Sequence, residues 1–265
     1  MIKPPLISVI DRAARKAGRA LVRDFGEVEQ LQVSRKGAAD FVSAADTRAE
    51  QTLHEELARA RPDFGFLGEE GGERRTGNGP SRWIVDPLDG TLNFLHGLPH
   101  FAISIAVETN GEIVAGGVYA PLTDDLYWAE RNEGAYLGDR RMRVSARHRL
   151  ADCIVATGIP FKEHGQPDRF VAELEILMGE VAGIRHFGSA SLDLAYVASG
   201  RYDGFWEREL QPWDMAAGIL IVREAGGLVT DLDGGLDMLR KGHILAANGD
   251  LHDILLAKLR RVVHP

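Results

Sequence analysis

Apolar residues recur every three or four positions over residues 5–24, where Leu6, Ile7, Ile10, Ala13, Ala14, Ala17 and Leu21 share one side of a 3.6-residue period. The stretch DTRAEQTLHEELARA (46–60) repeats the pattern with Leu53 and Leu57 and stops before Pro62. Two amphipathic helices are predicted. The period then shortens. DFGFLGEE, SRWIVD, FAISIAVE, EIVAGGVYA, DDLYWAE and GAYLG read as strands joined by short Gly, Asn and Pro turns, which predicts a largely antiparallel sheet. After about residue 150, CIVATG, helix 168–180, IRHFG, helix 189–199, YDGFWE, helix 213–225, GLVTD, HILAAN and helix 250–261 alternate strand with helix, the pattern of a layered α/β lobe. No linker, internal repeat or low-complexity tract divides the chain. The expectation is one domain over 1–265, with lobes at approximately 1–150 and 151–265.

Composition narrows the class. With 265 residues, 45% of them hydrophobic, the chain can bury a sizeable core. No apolar run approaches the ~20 residues that span a bilayer, and the N-terminal segment turns to charge before a signal-peptide core could form, so a cytoplasmic protein with no membrane partner is expected. The single cysteine, Cys153, excludes an internal disulfide and a cysteine-built metal site, and sits in an apolar run as a small core residue. A formal net charge of −8 argues against a nucleic-acid surface. Part of that charge could be neutralised locally if carboxylates converge on cations.

Three apolar elements end in acids. IVDPLDGTLNF (84–94) places Asp86 and Asp89 at the exit of a strand, FLGEEGG places Glu69 and Glu70 at the exit of another, and QPWDMAAGILIVREAGG places Asp214 in the first turn of a helix that starts at Pro212. Each has an ordinary explanation. Asp86 and Asp89 could cap a turn or the short helix that begins near Thr91. Glu69 and Glu70 could lie in a solvated loop, and Asp214 could simply face a helix dipole. Taken together, hard oxygen donors without histidine or cysteine suit Mg²⁺ or Mn²⁺ better than Zn²⁺. Mg²⁺ commonly bridges carboxylates to phosphate oxygens, and the Gly90 and Thr91 amides offer an anion cradle beside the acids. The nine histidines show no metal-ligand spacing, His96 and His100 included. Arg131, Arg140, Arg141, Arg143, Arg147 and Arg149 read as a solvated face, or as an interface or nucleic-acid contact.

These motifs resemble those of the inositol monophosphatase family, along essentially the whole chain. WIVDPLDGTLNF fits the family's first motif and WDMAAGILIVREAGG its second, while FGSASLDLAYVASGRYDGFWE (187–207) resembles the segment that bacterial members carry before the second. The resemblance implies a layered α-β-α-β-α sandwich, an α+β fold of the inositol monophosphatase and fructose-1,6-bisphosphatase type. It implies that Glu69, Asp86 and the Leu88 carbonyl hold one Mg²⁺, that Asp86, Asp89 and Asp214 hold another, and that a third, weaker ion lies near Glu69. Thr91 would hydrogen-bond the attacking water and Asp46 would orient Thr91. Gly90 and Thr91 amides would bind phosphate, while Gly188, Ser189, Ala190 and Glu207 match positions that contact the polyol. The chemistry implied is Mg²⁺-dependent, Li⁺-sensitive hydrolysis of inositol monophosphate by a homodimer. Related enzymes take fructose 1,6-bisphosphate, 3′-phosphoadenosine nucleotides or histidinol phosphate, and bacterial members are implied to act also as regulatory partners in RNA metabolism or transcription. With no aromatic face evident near Gly188 to Ala190, a polyol phosphate is favoured over a nucleotide. Lys36 matches a basic position in the family without a role that the residues themselves define. The loop 73–81, between Glu69 and Asp86, is instead a departure that reads as mobile, so the geometry of the first metal site would depend on how it folds when metal is present.

Overall fold

The computed structural model describes residues 3–31, 35–74, 79–160 and 166–262, and their side chains except at 29–31 and 35–43. The Lys36 side chain, residues 75–78 of the 73–81 loop, His164 and His264 lie outside the described set. The chain begins with two long helices, α1 (Pro5–Leu31) and α2 (Arg35–Ala60). Both exceed the expected ranges. In α1 the apolar stripe runs on through Phe25 and Val28, past a glycine and charges that mask it in sequence. The first half of α2 has no clear apolar period to read.

A sheet of eight strands follows: β1 (Gly65–Gly68), β2 (Gly72–Arg74), β3 (Ser81–Asp89), β4 (Ala102–Thr109), β5 (Glu112–Ala120), β6 (Asp125–Glu130), β7 (Gly134–Leu137) and β8 (Arg140–Arg141), in the order β2-β1-β3-β4-β5-β6-β7-β8. Neighbours pair antiparallel except β1 and β3, which run parallel. A short helix α3 (Thr91–Leu95) leaves the end of β3. The second sheet contains β9 (Ile154–Thr157), β10 (Gly183–Arg185), β11 (Gly204–Glu207), β12 (Leu228–Thr230) and β13 (Ile244–Ala247), in the order β10-β9-β11-β13-β12. Between these strands lie α4 (Pro167–Met178), α5 (Ala190–Ala198), α6 (Pro212–Glu224) and α7 (Met238–Lys241), and α8 (Gly249–Leu259) follows β13. The strands β2 and β8 and the helix α7 have two to four residues each, too few to leave a period in the sequence.

Side-chain parity shows how the layers stack. Trp83 and Val85 of β3, Ile103, Ile105 and Val107 of β4, and Leu126 and Trp128 of β6 pack with the apolar stripes of α1 and α2. Their alternate neighbours Ile84, Ala102, Ala106, Tyr127 and Ala129 pack with α5 and α6 on the opposite face. The first sheet is therefore covered on both faces, which is why its strands read as almost unbroken apolar runs. The second sheet lies on the far side of α5 and α6, and its outer face packs Val155, Trp206 and Leu245 against Leu177 of α4 and Leu251 and Leu255 of α8. Helices and sheets thus stack as five layers, α-β-α-β-α, as the resemblance implied. Cys153 is buried in the outer core, where burial pushes its thiol up to about 11, leaving it a poor nucleophile.

The middle helices sit close to their neighbours. A methyl group at Gly116 of β5 would fall 3.0 Å from the Cα of Ala217, and one at Gly218 would fall 2.5 Å from Leu194 Cδ1 of α5. The absence of side chains at these two positions lets α6 lie directly between sheet and helix. Ser104 of β4 then fastens its first turn, donating from Oγ to the Trp213 carbonyl at 3.0 Å.

Candidate active site

Residues three apart on a regular strand point to opposite faces, so Asp86 and Asp89 should diverge. They do not, because the β3–β4 register shifts between them. Val85 and Leu88 both pack toward α1 and α2, and the irregularity at Pro87 returns Asp89 to the face that Asp86 shares. The interruption bonds itself locally. Leu88 N donates to Asp86 Oδ1 at 2.9 Å, and Thr91 Oγ1 donates to the Leu88 carbonyl at 2.9 Å. Gly90 follows at φ 95°, a conformation that L residues rarely adopt, and a methyl group there would fall 3.0 Å from the His100 carbonyl and 3.2 Å from that of Gly188. The turn thereby approaches the loop that precedes α5. Asn93 ties the two together, donating from Nδ2 to the carbonyls of His100 at 2.8 Å and Phe187 at 2.6 Å.

Asp214 comes from the other side. It is the third residue of α6, where it accepts a 2.7 Å bond from Gln211 N in a reciprocal cap. Its carboxyl group also lies within hydrogen-bonding reach of Asp86, as does that of Glu69 in the turn after β1. Asp86, Glu69 and Asp214 thus meet from three separate elements. Asp89 is bonded to the α5 N-terminus, with Oδ2 accepting from Ser189 Oγ at 2.6 Å, from Ser191 N at 2.8 Å and from Ser191 Oγ. Asp46 of α2 stands below, buried, with its Oδ1 lacking a partner and with the Thr91 hydroxyl beside it.

Charge accumulates here. Burial, then the neighbouring acids, raise Asp86 well above the usual carboxylate range, and burial also raises Glu69 and Asp89. Burial and the charges of Glu69, Glu70 and Glu50 push Asp46 up to about 8, while burial and Asp89 push Asp214 up to about 7. The strongest influences on these five groups are burial, other acids and hydrogen-bond donors, with no lysine or arginine among them. Desolvated like charges without a cationic side chain constitute a donor set suited to a hard divalent cation. Among the described residues no three such side chains already stand around one point in the arrangement that holds a metal ion.

The residues expected to contact substrate fall at two places. Gly188, at φ 74°, Ser189 and Ala190 form the loop and first turn of α5 beside Asp89, and the Ser189 hydroxyl is engaged by that carboxylate. Glu207 ends β11 and lies on a cleft of about 400 Å³ that also meets Glu69, Ile159, Phe170 and Leu210. Glu70 is exposed, and its backbone N donates to buried Glu50 at 2.8 Å. The six arginines of 131–149 are exposed, Arg147 pairing with Asp203 at 3.0 Å.

Sequence reasoning missed several members. Ser191 and Asn93 sit inside the recognised motifs, yet only their contacts reveal a role. Glu50 has no motif signal. Asp193 is buried in α5 with an unpartnered Oδ1 and acts on Glu207 and Asp89; its signal was available, as a lone acid in the apolar run SLDLAYVA.

The sequence matches the family model of the inositol monophosphatase family over residues 3–264. It is 56% identical over 263 residues to the inositol-1-monophosphatase of Rhizobium meliloti (strain 1021), covering 99% of each chain. It is 44% identical over 265 residues to the Nus factor SuhB of Pseudomonas aeruginosa PAO1, covering 98% of each. The crystal structure of native extragenic suppressor protein suhB from Bartonella henselae superposes with a TM-score of 0.91 at 56% identity, over 98% of this chain and all of that one. Acids meeting from β1, β3 and α6 within this five-layer fold, and a sequence match across nearly the full length, lead to one assignment: the chain belongs to the inositol monophosphatase family.

Proposed function

We propose that this phosphatase hydrolyses a myo-inositol monophosphate to inositol and phosphate, with Mg²⁺ as its metal, as one catalytic domain in a cytoplasmic homodimer. The observation that carries the reading is the convergence of Glu69, Asp86 and Asp214, with Asp89 adjoining, at the edge of a cleft that also holds Glu207. Glu69, Asp86 and the Leu88 carbonyl would hold one ion, and Asp86, Asp89 and Asp214 another. Bound Mg²⁺ supplies Lewis-acid activation of water and neutralises charge on the phosphoryl oxygens. The protein's own part is positional. Asp86 is held by the Leu88 amide, Asp89 by two serines and Asp214 by its helix cap, so each carboxylate is anchored by a separate element. The Thr91 hydroxyl would orient the attacking water, and Asp46 behind it would orient that hydroxyl. Gly90 and Thr91 amides would face the phosphate, and Gly188 to Ala190 with Glu207 would face the alcohol.

Phosphate release should be fastest from inositol monophosphate in a panel that includes fructose 1,6-bisphosphate, a 3′-phosphoadenosine nucleotide and histidinol phosphate. It should vanish in excess EDTA, return with Mg²⁺ and fall with Li⁺, which would act at the Asp86, Asp89 and Asp214 site. Full activity in EDTA would defeat the metal assignment. The relative named as a Nus factor supports a second reading, a regulatory role with a nucleic-acid or transcription partner, for which the exposed arginines of 131–149 offer a surface. That reading moves ahead if wild-type protein binds Mg²⁺ normally yet releases phosphate from none of the panel. Light scattering at micromolar concentration is expected to give twice the chain mass; a strict monomer would remove the dimer.

A further inference from the structure

The last pair in the parallel ladder of β9 and β11 is Thr157 with Trp206, so Glu207 comes opposite Gly158 one step beyond it. Its carboxyl group does not stand beside that residue but lies across it. A methyl group at Gly158 would fall 1.8 Å from Glu207 Oε1, 2.0 Å from Cδ and 2.6 Å from Oε2. Gly158 is not among the residues with positive φ, so its backbone does not require glycine. What a side chain there would meet is the carboxyl group lying over it, the far end of a flexible side chain, which would be displaced. The setting makes that seat consequential, because Asp193, Asp214 and Asp89 all act on Glu207 and their repulsion favours any rotamer that carries its carboxyl away. Gly158 and Glu207 line the same cleft, with Ile159 next along the chain.

We propose that Gly158 is a specificity-determining position: the missing side chain seats the Glu207 carboxylate across the end of β9, at the point where it receives hydroxyls of the leaving alcohol. Gly158 is a positioning residue, acting through Glu207. The inference rests on the reading of Glu207 as a polyol contact.

The test is a double-mutant cycle with the Mg²⁺-loaded enzyme, using Gly158→Ala, Glu207→Ala and the double variant. The readouts are KM and kcat for inositol 1-phosphate, the inhibition constant of inorganic phosphate, and melting temperature. Gly158→Ala should raise KM about tenfold or more, as expected when a charged hydrogen-bond partner is displaced from the alcohol. The inhibition constant of phosphate, which lacks that alcohol, should stay within twofold. Glu207→Ala should raise KM similarly, and Gly158→Ala should add nothing in its background. Melting temperature should stay close to wild type in Gly158→Ala, because the methyl group displaces only the far end of the Glu207 side chain, so the change in KM is read on folded enzyme. A large fall in melting temperature would mean that the methyl group disturbs more than Glu207 and would overturn the proposal. A wild-type KM in Gly158→Ala, effects that add in the double variant, or weakened phosphate inhibition would each overturn the proposal while leaving the role of Glu207 intact. An unchanged KM in Glu207→Ala would instead overturn the polyol reading, and the proposal with it.

Discussion

Replacing Asp89 with asparagine is expected to lower phosphate release by roughly 10²-fold or more in saturating Mg²⁺, the scale on which a single electrostatic transition-state contact acts. The substitution keeps the side-chain shape and lets the Ser189 and Ser191 hydroxyls turn to new partners. What it removes is a charge. If Asp89 only capped the α5 N-terminus, the loss would be about 1 kcal/mol of stability with turnover preserved. The bonds from Ser189 and Ser191 all fall on Oδ2, so the two serines leave Oδ1 to other partners. Stability measured in chelator should move the opposite way to activity, because one of several crowded acids has been neutralised. The pH dependence has a defined sign. Asp214 and Asp46 titrate near 7 and 8 in the folded protein against about 4 in an unfolded chain, so they contribute stability below pH 4 that is lost as pH rises through 7 to 8. In EDTA, wild-type protein should melt at progressively lower temperature over that window, and the variant less steeply. Wild-type turnover in the variant would defeat the assignment of Asp89 as a metal ligand.

Asn93→Leu is expected to destabilise the fold by about 2–4 kcal/mol, since the substitution keeps volume but leaves the carbonyls of His100 and Phe187 without their donor. For a chain of this size that corresponds to a fall in melting temperature of roughly 5–10 °C. Activity should fall as well, because Asn93 holds the loop that carries Ser189 and Ser191 against the end of β3. A variant that melts within 1 °C of wild type, by calorimetry in Mg²⁺, would mean that water or another donor replaces the amide.

Much of this arrangement was legible beforehand, and the reason is chemical. Asp86, Asp89, Glu69 and Asp214 announce themselves because acids rarely end apolar runs, and the long strands announce themselves because both faces of the first sheet are buried. Asn93 and Ser191 do not, because their work is to bond carbonyls and a carboxylate from segments far away in sequence. The parity of Asp86 and Asp89 was likewise hidden: only the register shift at Pro87 shows that acids three apart share a face. Gly158 carries no signal in the sequence either, because Glu207, the group that lies across it, comes from a distant strand. Periodicity reports burial. It does not report which distant group a short polar side chain will meet.

The stitching of this site from remote segments also bears on how the protein comes into being. The bond from Ser191 N to Asp89 joins residues 102 apart in the chain, and that from Ser104 to the Trp213 carbonyl joins residues 109 apart. Contacts of such long separation form late, after the entropy of closing large loops has been overcome. During synthesis the first sheet can assemble with α1 and α2 while α6 is still unmade, and its inner face then waits for a helix yet to emerge. Until α6 docks, Asp86 and Asp89 lack the Asp214 that the proposed metal site requires, so on that proposal a half-made chain would not hydrolyse phosphate esters. Recovery of activity during refolding should therefore trail recovery of helix and strand, making catalysis the last signal to return.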